Sequence, residues 1–451
     1  MQPATRFART TDGTHVAYQV SGDGPLDMVL VRAWFSDMEH EWQEPRLARF
    51  YRRLESVARL IRLDRRGMGL SDRRAQGAPA TLEETVDDIR AVMDTAGSQR
   101  AVLVGLGDGA TNCALFAASH PERTRGLVLY GPFMRWQRGE DFPWGDTPKG
   151  HADYVDHLRQ NWGMRDAVVR WVAGGAPSRA NDQALIDWFT EQQRRTASPE
   201  EAVEMANWFW QTDATAVLES IHVPTLVLMR AENDSVDEWR HYAARIPDAR
   251  VVEVPGEDLF VLAGDTDAVV REMQRFVESL AEAEAGDEAS NRVLATVLFT
   301  DLVGSTERAA EMGDRAWAEV LGEHHRRAAV IVQRHRGRII DTAGDGILAS
   351  FDGPGRAIRC ALAVIEDARA VSLEARAGLH TGECELDGDR LRGLAVHIGA
   401  RVAALAGPSE VLVSSTVKDL VAGSGLEFED RGARELKGVP GEWRIFAVAP
   451  D

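Results

Sequence analysis

Two rhythms of apolar and polar positions divide the chain. Through the first part, short apolar runs recur between helix-length amphipathic stretches: MVLVRAW at 28–34, ARLIRLD at 58–64, AVLVGLG at 101–107, GLVLYG at 126–131, PTLVLMR at 224–230 and ARVVEVPG at 249–256. Runs of this kind fit strands buried on both faces, and their spacing predicts a mostly parallel sheet covered by helices. From about Trp136 to Trp210 the rhythm stops. That stretch is helix-like and carries Trp136, Trp144, Trp162, Trp171, Trp188, Trp208 and Trp210, which predicts an inserted helical cap over about 136–215. Toward the other end the pattern changes. RVLATVLFTD (292–301) reads as a strand, and the Gly304-Ser305-Thr306 turn after it offers hydroxyls that can cap a following helix. GRIIDTAGDGILASF (337–351) reads as a hairpin around a glycine-containing turn. ARAGLHTGE and SEVLVSS are further strands, with a helical LAVHIGARVAAL between them. This half is α+β. Between the halves, LAEAEAGDEAS (280–290) is acidic and lacks large apolar residues. It predicts a first domain over 1–280, a linker over 281–291 and a second domain over 292–451.

Composition narrows the function classes. A length of 451 residues suits two domains, and 44% apolar residues exclude wholesale disorder. Acidic residues outnumber basic ones 71 to 52, a formal charge of −19 that repels phosphate backbones and argues against a nucleic-acid partner. Cys113, Cys360 and Cys384 are far apart and form no CxxC pair, which argues against a disulfide framework or zinc knuckle and fits a reducing cytosol. No run approaches the roughly 20 apolar residues of a bilayer span, and MQPATRFARTTDG has no apolar h-region. The expectation is a soluble, cytoplasmic protein with no membrane partner.

Candidate chemistry in the second half begins with Asp301, which ends a buried strand just before the Gly-Ser-Thr turn. Backbone N–H groups at such a turn attract phosphate, and a carboxylate beside them needs a cation between. Asp345 sits at the tip of the Ala-Gly-Asp-Gly turn. Taken singly, Asp301 reads as a cap and Asp345 as a turn residue. In order along one domain, however, come FTDLVGST, DTAGDG, GLHTGE, VHIGAR and ELKG. This combination resembles the class III nucleotidyl cyclases over about Arg292 to Val448. The resemblance implies a ferredoxin-like α+β domain acting as a homodimer on a nucleoside triphosphate, with ATP the family default and two magnesium or manganese ions per site. It assigns Asp301 and Asp345 to metal, Arg401 to the transition state and Lys437 to the triphosphate, with Gly304, Ser305 and Thr306 at the phosphates. His397 stands where most members have asparagine, four residues before Arg401 and therefore on its helix face.

Two positions depart from the adenylate-forming pattern. Asp341 stands where those members have lysine, and Arg390 where they have aspartate. With the charges exchanged, the pair suits guanine or a pyrimidine. Alternatively the two residues pair with each other and read no base, or Asp389 shifts register to take the aspartate's role. A catalytically silent nucleotide-binding protein also remains open.

The first half resembles the α/β hydrolases over about Ala4 to Leu280. The likeness rests on LIRLDRRGMGLSD (60–72), AVLVGLGDGA (101–110), PERTRGLVLYGP (121–132) and PTLVLMRAEND (224–234). Where that family carries its nucleophile in Gly-x-Ser-x-Gly, this chain reads Gly105-Leu106-Gly107-Asp108-Gly109. Asp234 fits the triad's acid, but no histidine lies between His241 and His324, and Leu259 occupies the expected position. The expectation is a retired hydrolase kept as a structural or ligand-sensing module, the fusion suggesting regulation of the cyclase, with a Trp-rich cap that either lines a cavity for a small apolar ligand or is plain packing. Asp108 is expected to be a turn or helix-start residue, Arg65-Arg66 an ordinary turn, and His324-His325 a solvated helix face.

Overall fold

The computed structural model describes residues 2–33, 36–73, 81–283, 292–387 and 390–449. The chain divides into two units, Met1–Ser290 and Asn291–Asp451.

The first unit is built on strands β1 (Thr5–Arg9), β2 (His15–Ser21), β3 (Leu26–Val31), β4 (Ala58–Leu63), β5 (Ala101–Leu106), β6 (Thr124–Tyr130), β7 (Thr225–Arg230) and β8 (Arg250–Val254). They lie in the order β1-β2-β4-β3-β5-β6-β7-β8. β1, β2 and β4 pair antiparallel, and every pairing from β4 through β8 is parallel. The six apolar runs of the sequence became β3 to β8. Every residue of β5 and β7 is buried, which is why both read as unbroken apolar runs. The hairpin β1–β2 gave no such signal, because β1 is a largely exposed edge strand bearing arginines.

Between β6 and β7 the chain leaves the sheet for four helices, Pro148–Asn161, Arg165–Gly175, Gln183–Thr196 and Pro199–Gln211. Their starts are locally encoded. Thr147, Asp182 and Ser198 accept first-turn N–H groups, Ser198 in a capping box with Glu201, and Pro148 and Pro199 need no donor in the first turn. Val168, Val172, Leu185, Ile186 and Phe189 join the apolar core that continues beneath β5 and β6.

The second unit contains β9 (Arg292–Leu302), β10 (Arg338–Ala343), β11 (Gly346–Phe351), β12 (Ala375–Asp387), β13 (Arg390–Arg392), β14 (Val411–Ser414), β15 (Phe428–Glu435) and β16 (Glu442–Val448). The order is β10-β11-β9-β12-β14-β16-β15, with β13 on β12. The first four strands thus lie second, third, first, fourth, the ferredoxin-like arrangement. The central strand β9 alternates between two cores. Leu298 packs with residues of the helices Asp314–Arg334 and Pro354–Ala370, while Val297 faces the helix Leu394–Leu405. That last helix lies almost on the sheet: a Cβ at Gly378 would fall 2.0 Å from the Ala403 nitrogen. Of the expected linker, residues 281–283 complete the helix Thr266–Ala283, and 284–291 lie outside the described residues. Among the described residues no helix is long and apolar enough to cross a membrane.

Candidate functional site

In the second unit the acidic site is assembled by strand register. β9 and β11 pair antiparallel from Thr296–Phe351 to Thr300–Ile347, so the next step sets Asp301 opposite Gly346. Asp345 is the neighbouring residue, in the two-residue turn closed by the Ala343–Gly346 pair. Gly344 takes φ +65° there, the left-handed first turn position that lets a two-residue hairpin close. Both aspartates are half-buried at one end of adjacent strands. The helix Ser305–Met312 begins beside them, but its N-cap is Gly304 at φ +70°, with no side-chain cap. The expected hydroxyl cap is therefore replaced by a glycine cap, because the left-handed backbone at this position favours a residue without a Cβ. The side chain of Thr306 lies outside the described residues.

Asp301 has a partner that sequence reasoning missed. Arg376 stands directly across the β9–β12 ladder and donates Nη2 at 2.6 Å and Nε at 3.0 Å to the Asp301 Oδ2 atom. The one available signal was an arginine among the small and apolar residues that open the strand ARAGLHTGE. Among the described residues no group of three or more His, Cys, Asp or Glu converges on one point. What the pair can offer a divalent ion is hard oxygen ligation completed by water and phosphate, which suits Mg²⁺ or Mn²⁺.

The helix Leu394–Leu405 carries His397 and Arg401, both exposed. Arg401 Nε donates to the Lys437 carbonyl at 3.0 Å, so the arginine and the exposed Lys437 sit side by side. His397 lies away from the acidic pair along the helix. Arg376 reaches the Ala406 carbonyl at the far end of this helix at 3.5 Å, whereas His397 is in its first turn, about 14 Å away along the axis. Asp341 is exposed on β10 and accepts the Thr342 N–H at 2.8 Å; Arg390 is exposed at the start of β13, a strand next to β10. No ion pair joins these two described residues, and Asp389 lies outside the described residues.

The helix Asp314–Arg334 corrects one expectation. His324 is buried rather than solvated, because it shares with Ala328 and Val332 the inner face spaced four residues apart. Burial holds both His324 and His325 below the usual imidazole range, and the Asp345 charge works in the opposite direction.

In the first unit, backbone geometry fixes the frame of the elbow. Gly107 has φ +60°, whereas Asp108 is already helical at φ −71°, ψ −17° and leads into the helix Gly109–Ser119. The strained position of a nucleophile elbow is thus residue 107, which has no side chain. A Cβ at Gly105 would lie 2.4 Å from Ala110 Cα, and one at Gly109 would lie 2.4 Å from the Val31 carbonyl. At Gly107 a Cβ would meet only Ala33 Cβ at 3.4 Å. Leu259 and Gly107 both line a cavity of about 220 Å³ with Trp136, Trp171, Phe189 and Phe209. Asp234 is exposed in the turn after β7. Asp108 also lines this cavity, but its Oδ2 accepts Arg65 Nη1 at 2.6 Å, with both side chains buried. Arg66 is likewise buried against Asp88. The two arginines are therefore structural counter-charges.

These two sites can be set beside known proteins. The chain belongs to the alpha/beta hydrolase fold family, whose model matches residues 35–265. Its second half carries an adenylate and guanylate cyclase catalytic domain, matched over residues 288–449. A pH-sensitive adenylate cyclase of Mycobacterium tuberculosis (strain CDC 1551 / Oshkosh) is 27% identical over 196 residues, 40% of this chain and 48% of that protein. A bifunctional esterase/perhydrolase of Acinetobacter calcoaceticus is 22% identical over 286 residues, 60% of this chain and 99% of that protein. The enol-lactonase from Burkholderia xenovorans LB400 shares the fold, with TM-score 0.50 and 21% identity, over 60% of this chain and all of that one. The chain spans about half or less of the length of the cyclase relatives it matches.

Proposed function

We propose that the second unit is a class III nucleotidyl cyclase that converts a nucleoside triphosphate, by family default ATP, into its cyclic nucleotide and pyrophosphate. The observation that carries this reading is the β9–β11 register, which brings Asp301 beside Asp345 at one end of adjacent strands. Divalent ions held there would supply the charge that activates the ribose 3′-hydroxyl and neutralises the leaving pyrophosphate. The chain's own groups do the rest. Arg376 keeps Asp301 oriented and compensated, and Arg401 grips the α-phosphate through its planar fork. Lys437 holds the polyphosphate and His397 donates a hydrogen bond to the reacting phosphate. In keeping with the likeness to class III cyclases, the complete site takes His397 and Arg401 from a second copy of the chain. Gly304, Ser305 and Thr306 bring backbone donors to the phosphates.

Asp341 and Arg390 form no ion pair with each other, which supports a role in reading the base and keeps GTP or a pyrimidine nucleotide in contention. Turnover of ATP, GTP, CTP and UTP in parallel, with product identification, tests this. One clearly preferred nucleotide is expected. Equal rates would defeat base reading, and no metal-dependent pyrophosphate release from any of them would defeat the cyclase reading.

The first unit, on this reading, is catalytically silent. With Gly107 and Leu259 at the nucleophile and base positions, no acyl transfer can follow the usual route. Its elbow cavity takes a small apolar molecule, and its fusion to the cyclase serves regulation. Short acyl esters are expected to be turned over no faster than in a blank, and a covalent burst would contradict this.

A further inference from the structure

Beside the elbow cavity lies a second one, of about 320 Å³, whose walls include Trp136, Trp144, Trp210, Tyr154, Asp146 and Glu238. Three indoles and a phenol around one space would be unremarked in a dry core. Here the same wall holds a carboxylate, Glu238, that is only 6% exposed. One oxygen of that carboxylate accepts the Tyr242 hydroxyl at 3.0 Å. Among the described residues it has no cationic partner. The arginine in the same wall, Arg135, is already engaged by Asp141 at 3.0 Å and Asp213 at 3.5 Å. A buried acid without a counter-charge is costly, and burial pushes Glu238 up to about 7.

We propose that this cavity binds a small organic ammonium ion, with its charge toward Glu238 and its alkyl groups against Trp136, Trp144 and Trp210. Aromatic faces attract such cations, which shed their hydration more readily than a metal ion does. The alternatives fit worse. A carboxylate or phosphate would meet Glu238 and Asp146, with Arg135 already held by Asp141 and Asp213 and His151 stacked on Trp210 and bonded to Asn207, and a neutral molecule would draw nothing from the ionised acid. Trp144, 38% exposed, stands at the solvent side of the group. The cavity shares Phe133, Trp136 and Tyr154 with the elbow cavity, and the proposal is independent of the cyclase reading, so its test needs no turnover.

Calorimetric titration of the full chain with choline, tetramethylammonium and dimethylbutanol, the uncharged carbon isostere of choline, provides that test. Saturable binding of the two cations is expected, with the isostere weaker by about tenfold or more. Glu238→Gln keeps the shape and removes the charge; it should weaken choline by a similar factor while leaving the melting temperature unchanged or higher. Trp144→Ala, at a partly exposed position, should weaken choline several-fold and serves if Glu238→Gln does not fold. Equal affinity for choline and its isostere, unchanged affinity in a folded Glu238→Gln, or no binding of either cation at millimolar concentration would overturn the proposal.

Discussion

Replacing Arg65 by leucine tests most sharply whether Asp108 serves structure or chemistry. The guanidinium and carboxylate lie 2.6 Å apart with side chains only 5% and 8% exposed. Removing the cation leaves a carboxylate with little access to water, a loss of about 3–5 kcal/mol for pairs of this kind. Removing both charges, in Arg65→Leu combined with Asp108→Leu, should recover most of that loss, because the pair's mutual attraction is largely offset by the cost of burying it. The sign with pH follows. In Arg65→Leu the Asp108 carboxyl keeps the charge of Arg32 nearby but loses its direct cation, so the deficit grows as pH rises and the carboxyl ionises. Urea unfolding followed by tryptophan fluorescence reports on the correct unit, since only Trp317 and Trp443 of the twelve indoles lie beyond residue 290. The reasoning fails if Arg65→Leu costs less than about 1 kcal/mol, or if the double replacement is as damaging as the sum of the singles.

Asp301→Asn and Asp345→Asn should each lower metal-dependent cyclisation by about 100-fold or more, the loss of several kcal/mol of charge stabilisation, with the circular dichroism spectrum unchanged; activity within a few-fold of the parent would refute their assignment. His397→Asn should flatten the pH–rate profile, which an unaltered profile would contradict. His380 is buried against Ser414 Oγ at 2.8 Å, and desolvation holds its imidazole down at about 4. The folded state therefore binds fewer protons than the unfolded one between about 4 and 6.5, and the second unit should lose up to about 3 kcal/mol as pH falls through that window. Hydrogen exchange of β12 amides in the parent and in His380→Gln measures it, and parallel pH dependences would rule it out. Gly107→Ser should fold, since its Cβ meets only Ala33, yet show no ester turnover while Leu259 holds the histidine position; hydrolysis by the single variant would show that another base is present.

What could be read from the sequence was whatever leaves a run or a motif. β3 to β7 are largely buried and announce themselves as apolar runs, the mostly exposed edge strand β8 is signalled by its valines, and β9 to β12 with the helix Leu394–Leu405 follow the motifs that carry the cyclase resemblance. The exposed edge strand β1, the three-residue β13 and the largely exposed β15 left little trace, because edges do not need apolar residues. Pairings were harder still. Arg376 meets Asp301 across 75 positions of chain, and only the β9–β12 register reveals it. His324 looked solvated because its neighbours are charged; the helical period, counted to Val332, would have turned it inward.

The left-handed backbone at Gly107 has a bearing on how such halves arise. A serine held at φ +60° costs on the order of 1 kcal/mol, which glycine does not incur. Glycine at this position is thus the backbone's own preference, and a side chain there has to be maintained against that cost. Gly105 and Gly109 had no such freedom, since any side chain there would strike Ala110 or Val31. The residue string this leaves, Gly-x-Gly-x-Gly between a strand and a helix, imitates a phosphate-binding fingerprint while recording only the closeness of two backbones. Gene surveys that score glycine loops alone would misfile chains of this type as dinucleotide binders.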